Sequence, residues 1–165
     1  MKIAATGHRP GKLGNEWDGI GIHSDKVRSF LQSIVNHYYE TEQLELISGM
    51  ALGVDMIWAE VAIDNGLHFI AAIPCFNQEG KWSWRQQKRY HEILNHPLCD
   101  KRIITASTYN PKVMSIRNEW MVDACDLLVG VFDGSPGGTA NCIDYAIRQK
   151  RKIKVMSPND ILSLF

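Results

Sequence analysis

Three glycine-bearing segments hold the residues best suited to chemistry. The first, Thr6-Gly7-His8-Arg9-Pro10-Gly11-Lys12-Leu13-Gly14, follows a short apolar run and opens a connection of roughly 17 residues, long against the few that usually join strand to helix. Thr6 and the Gly7 backbone can donate to an anion, and Arg9 can fork onto a phosphate or carboxylate; the plainer reading is a surface turn at Arg-Pro-Gly, with His8 simply solvated. The second, Ser48-Gly49-Met50-Ala51-Leu52-Gly53-Val54-Asp55, joins a strand to a helix and can present backbone N–H groups at a helix N-terminus, where the dipole also favours negative charge. Its pattern is neither Walker A nor the dinucleotide glycine motif. Asp55 in the first helical turn either complements that dipole or accepts from a ligand hydroxyl. The third, Asp133-Gly134-Ser135-Pro136-Gly137-Gly138-Thr139-Ala140-Asn141-Cys142, again reads as strand, glycine turn and helix start, with Thr139 or Asn141 serving a ligand or capping the helix.

Arg117 stands within an apolar helical stripe made by Val113, Ile116, Trp120, Met121 and Ala124. A guanidinium there requires an anionic partner, either an internal carboxylate such as Asp126 or Asp133 or a bound phosphate, with Asn118 beside it as a polar helper. The run Trp82-Ser83-Trp84-Arg85-Gln86-Gln87-Lys88-Arg89-Tyr90, after Phe76-Asn77-Gln78, interleaves aromatics and cations. Such a run can stack a nucleobase, though anchoring a helix with its basic residues in water is the simpler use.

These segments need a frame, and short apolar runs alternating with helical patterns supply one. Strands are expected at 2–6, 44–48, 68–74, 102–105, 127–132 and 153–156. Val27, Phe30, Leu31, Ile34, Val35 and Tyr38 trace one face of a helix, and further helices are expected near 53–65, 82–95, 111–125, 138–150 and 159–164. That alternation predicts a three-layer α/β/α Rossmann-like fold, with a mainly parallel sheet of about six strands and the first strand central. In such sheets ligands sit beyond the carboxyl ends of the strands, where all three glycine segments fall.

Composition narrows the classes. The 165 residues suit one domain spanning 1–165, and no apolar window reaches the length of a membrane span. Lys plus Arg and Asp plus Glu both number 18, giving a formal net charge of zero. No global basic field therefore exists, and nucleic acid is not an expected partner. Cys75, Cys99, Cys125 and Cys142 match no zinc or redox spacing, and the six histidines are scattered, so reduced thiols, a cytoplasmic location and neither metal nor cofactor are expected. Met and Cys side chains such as Cys125 and Met156 read as core. Exposed tryptophans would mark a homo-oligomer face.

Read together, the glycine turns resemble the YpsA-like family of the SLOG superfamily, collinearly over nearly the whole chain. The resemblance is carried by Thr6-Gly7-His8-Arg9-Pro10 with Lys12-Leu13-Gly14, Ser48-Gly49 with Ala51-Leu52-Gly53-Val54-Asp55, Ile73-Pro74 with Trp82 and Gln87-x-Arg89-Tyr90, Arg117-Asn118 with Trp120-Met121-Val122-Asp123, and Asp133-Gly134 with Gly137-Gly138-Thr139. It implies a pocket for a nucleotide or nucleotide-derived ligand, as in small bacterial and prophage-encoded proteins, and hence a sensor or binding role. Related LOG-like phosphoribohydrolases carry Pro-Gly-Gly-x-Gly-Thr-x-x-Glu and use that glutamate, with an upstream arginine, to cleave an N-glycosidic bond. Here Arg117 matches the arginine, but three residues beyond Thr139 stands Cys142. A neutral thiol neither stabilises nor traps the cationic sugar, so the resemblance supports binding more than catalysis. Asp133 or Asp144 would have to replace the missing carboxylate. Two alternatives follow from the same kinship: an N-glycosidic hydrolase acting on a nucleoside monophosphate, and a DprA-like single-stranded DNA binder using residues 82–90.

Overall fold

A computed structural model describes residues 1–105 and 108–163. Six strands, β1 (Lys2–Gly7), β2 (Glu45–Ser48), β3 (Phe69–Ile73), β4 (Cys99–Ile103), β5 (Leu127–Val131) and β6 (Lys152–Met156), form one sheet in the order β4-β3-β2-β1-β5-β6. Every pairing is parallel. The helices are α1 (Ile22–Tyr39), α2 (Val54–Asp64), α3 (Trp84–Leu94), α4 (Pro111–Ala124), α5 (Gly138–Arg148) and α6 (Pro158–Ser163). Residue 164 of the expected last helix lies outside the described residues.

Alternation along β1 assigns the two faces. Ile3 and Ala5 point into the core shared with Phe30, Leu31 and Ile34 of α1, Trp58 of α2, Tyr90 of α3 and Ile161 of α6. Ala4 points to the opposite core, with Met121 and Val122 of α4 and Cys142 and Ile143 of α5. Small residues at 4 and 5 let helices approach the middle of the sheet closely, and the period of two guarantees that both faces are covered. Trp58 is fully buried, and its Nε1 donates to Ile3 O at 3.3 Å, so the largest side chain in the core also satisfies its one polar atom.

The chain runs from β1 outward through β2, β3 and β4, then crosses back to place β5 on the other side of β1. The connections after β1 and β5 consequently leave for opposite faces, and a crevice opens between them, as at any topological switch point in a parallel sheet.

The fourth strand is displaced from its expected place, lying at Cys99–Ile103 instead of 102–105. Asp100, Lys101 and Arg102 are exposed on this edge strand, which is held through backbone pairing to β3. An edge that turns charges to water has no apolar alternation to read and is protected against pairing with another chain.

Candidate functional site

The crevice beside β1 is a cleft of about 420 Å³. Of the residues singled out in sequence, Thr6, Gly7, His8, Arg9, Asp55, Arg117, Asn118, Gly137, Gly138 and Thr139 line it together. Ser48, Gly49, Gly53, Asp133 and Gly134 are not among the lining residues; the first three are buried and the last two exposed.

The loop after β2 is built around Arg117. This guanidinium, 4% exposed, donates through Nη1 to Gly49 O and through Nε to Asn118 Oδ1 at 2.8 Å. Its carboxylate neighbour is Asp55, 3.9 Å away, not Asp126 or Asp133. Asp126 instead accepts from Lys2 N at 2.7 Å. Burial pushes the Asp55 carboxyl above the usual range, while Arg117 and the Ala51 N–H, 3.4 Å from Oδ2, pull the other way. A Cβ at Gly49 would come within 2.6 Å of both Arg117 Cζ and Asp55 Oδ2, so a missing side chain lets the ion pair close over the strand end. Ser48 Oγ donates to Asp55 O at 2.6 Å and accepts from Met50 N at 3.1 Å, which holds buried Met50 at φ 57°, a region non-glycine residues seldom occupy. Gly53 has φ 100° with His8 O only 2.5 Å from the position of an added Cβ, so the second and first loops touch backbone to backbone.

His8 clamps the third loop. Its ring is buried, with Nε2 3.0 Å from Asp133 N and 2.9 Å from Asp133 Oδ1. Burial lowers its pKa despite the nearby carboxylate, so neutral imidazole accepts the Asp133 amide at neutral pH, the tautomer being assigned from that donor. Asp133 in turn accepts from Ser135 N at 2.9 Å and meets Lys12 Nζ at 3.2 Å. Hydrogen bonds from Ser135 in the first place hold its carboxyl well below the usual range.

Two features remain open to a ligand. The N-terminus of α5 begins at Gly137 without any side-chain cap; neither Thr139 nor Asn141 fills that role, so the first-turn N–H groups face the cleft wall uncapped. Arg9 is exposed, and among the described residues its guanidinium has no hydrogen-bond acceptor. Its charge nevertheless acts on both Asp55 and Arg117. Arg117 is already engaged by protein groups, which makes Arg9 the available cation and Arg117 the residue that shapes the wall. Gly11, Lys12, Trp17, Ala51, Met114, Ser135 and Pro136 line the cleft as well; all but Trp17 and Met114 fall inside the three glycine segments, while Trp17 lies in the long connection after β1 and Met114 one turn before Arg117 on α4.

Cys142 is buried on the far side of Thr6, and burial pushes its thiol up to about 12. It lines a separate hollow with Asp144 and Arg148, so neither Cys142 nor Asp144 faces the cleft that Arg9 serves. The 82–90 segment forms α3 and the turn before it. Trp82 packs edge-on against Tyr90 at 5.3 Å, Arg89 is held 2.5 Å from Glu60, and Arg85 faces Asp18 at 3.8 Å. Among the described residues no cluster of three or more His, Cys, Asp or Glu could hold a metal ion, and no helix is long and apolar enough to cross a membrane.

Comparison with known proteins places this geometry among relatives. A family model described as the YspA SLOG family matches residues 3–162. The uncharacterized SPbeta prophage-derived protein YoqJ of Bacillus subtilis is 29% identical over 137 residues, covering 74% of this chain and 78% of its own. A UPF0398 protein of Halalkalibacterium halodurans is 28% identical over 174 residues, covering 96% and 89%. Among solved structures, DNA processing protein A of Streptococcus pneumoniae superposes with a TM-score of 0.65 at 18% identity, covering 99% of this chain and 53% of that one. The Helicobacter pylori protein of the same name, whose structure is described by its single-stranded DNA binding mode, gives 0.66 at 17% identity, covering 94% and 64%. The present chain thus spans about half to just under two thirds of these two structures, and the likeness is one of fold.

Proposed function

The chain belongs to the YspA SLOG family, and from that premise we propose that it binds a phosphorylated nucleotide or nucleotide-derived ligand in the cleft between the β1, β2 and β5 loops. The observation that carries this reading is the pairing of an uncapped helix N-terminus with a cation that has no partner among the described residues, across one crevice. Backbone N–H groups at Gly138 and Thr139 and the Arg9 fork together match a phosphate's several acceptor oxygens. Asp55 and Asn118 offer an acceptor and an amide to sugar hydroxyls. The volume lies within the range of small-molecule sites.

Binding is favoured over N-glycoside hydrolysis because the catalytic glutamate of LOG-like phosphoribohydrolases has no counterpart lining the cleft from α5: buried Cys142 stands at its place, with its thiol pushed up to about 12. Isothermal calorimetry against nucleoside mono- and diphosphates tests the proposal. Arg9→Met should weaken binding by about 10- to 100-fold, the worth of a charge-assisted hydrogen bond to phosphate, without changing the urea midpoint. Absence of heat with every nucleotide, or binding indifferent to Arg9, would overturn it. Zero net charge pointed away from nucleic acid, whereas the Helicobacter pylori neighbour binds single-stranded DNA; a short single-stranded oligonucleotide belongs in the same titration.

A further inference from the structure

Next to the cleft lies a second cavity of about 620 Å³, and the two share Arg9, Ala51 and Met114 as a common wall. The linings differ in kind. The first offers Arg9 and backbone amides. The second adds the rings of Phe76 and Tyr109, 55% and 64% exposed respectively, whose faces are open to stacking by a flat ligand group. Gln78 also lines this cavity and is only 9% exposed. Its Nε2 donates to Tyr90 Oη at 3.0 Å and faces Met50 O at 3.5 Å. A carbonyl can only accept, so the Met50 contact fixes which end of the amide is nitrogen. The opposite end, Oε1, is shut off from solvent and has no hydrogen-bond donor among the described residues, so Gln78 braces this wall through its Nε2 and turns no free acceptor into the cavity.

We infer that the second cavity is the base seat of the ligand whose phosphate occupies the first. The inference rests on the phosphate reading above. Flat rings stack on Phe76 and Tyr109, which are tolerant of base identity because every base has a π face. Trp82, edge-packed on Tyr90, stiffens the same wall. The strained loop at Met50 connects the subsites, since its carbonyl orients Gln78 while its neighbours Gly49 and Ala51 meet Arg117 and Asp55. A base attached to phosphate can come from a free nucleotide or from an unstacked strand, and the chemistry of the seat is the same for both.

Dissociation constants of AMP, ribose 5-phosphate and a short oligodeoxyadenylate, measured on the wild type and on Phe76→Ala and Arg9→Met, test this. Phe76 is exposed, so its removal leaves the core untouched. In the wild type AMP should bind at least about 10-fold tighter than ribose 5-phosphate, a ratio set by one stacked base. Phe76→Ala should bring that ratio to within about threefold, while Arg9→Met weakens both ligands alike. Equal AMP and ribose 5-phosphate affinities that still depend on Arg9, or an AMP preference untouched by Phe76→Ala, would overturn the base seat and leave the phosphate site standing. Loss of Arg9 dependence for all ligands would overturn both. An oligonucleotide that binds tighter than AMP, with the same Phe76 dependence, supports the seat and identifies a strand as the source of the base.

Discussion

At the scale of single residues, the decisive fact is that the two arginines of the cleft do different work. Arg117 is committed to Gly49 O, Asn118 and Asp55, and its role is to hold the second loop against the fourth helix. Arg117→Ala would leave a buried carboxylate without its countercharge and should lower the urea-derived stability by about 3–5 kcal/mol; a loss below about 1 kcal/mol would show that the pair is not structural. The pH dependence of that loss follows from Asp55. Burial already raises its native pKa above the unfolded value, and removing Arg117 raises it further. The native state then binds more protons than the unfolded chain through that window, so stability falls as pH rises across it. The defect should accordingly shrink in acid and grow toward neutrality. Cysteine chemistry gives an independent check. Burial pushes the thiols of Cys99 and Cys125 up to about 11 and that of Cys142 up to about 12, so the folded protein should react slowly with a thiol reagent at pH 8 and all four thiols should react on unfolding. A rapid reaction at Cys142 would restore it as a candidate nucleophile.

At the scale of elements, α1 shows how a loop substitutes for a local cap. Its N-cap is Gly21, which has no side chain to offer. Glu16 in the β1–α1 connection accepts instead from His23 N at 3.1 Å and Ser24 N at 2.6 Å. Burial alone would raise this carboxyl, but those amides and the His23 ring outweigh it and hold it at about 2. Because the folded pKa is depressed, the stabilisation is present above the ordinary carboxylate range and is lost as pH falls toward 2. Glu16→Gln should cost about 1–2 kcal/mol at pH 7, comparable with losing a helix cap, and the difference from wild type should shrink steadily below the ordinary carboxylate range and close only as pH reaches about 2 in thermal melts. The elements themselves were largely legible. Strands buried on both faces, such as Phe69–Ile73 and Leu127–Val131, read as apolar runs, and α1 announced itself through Val27 to Tyr38. The fourth strand was not legible in place because Asp100, Lys101 and Arg102 carry no burial signal. The glycine turns were legible as turns, but not the partner of Arg117, since Asp55 reaches it through tertiary folding that no spacing encodes.

At the scale of the molecule, a sheet whose chain reverses direction beside β1 generates one crevice from loops distant in sequence in this member of the YspA SLOG family. Zero net charge does not prevent anion binding there, since the field is local to Arg9 and α5. Raising salt should weaken nucleotide binding only modestly, because few charges are neutralised; a steep fall would instead indicate a multi-phosphate nucleic-acid track. The central claim concerns where a phosphate docks, and amide chemical-shift mapping during a titration with AMP tests it most directly. Shifts should begin at Gly7, Gly137, Gly138 and Thr139, saturate together, and require far more ligand in Arg9→Met. Shifts confined to other surfaces, or none at millimolar AMP, would contradict the account.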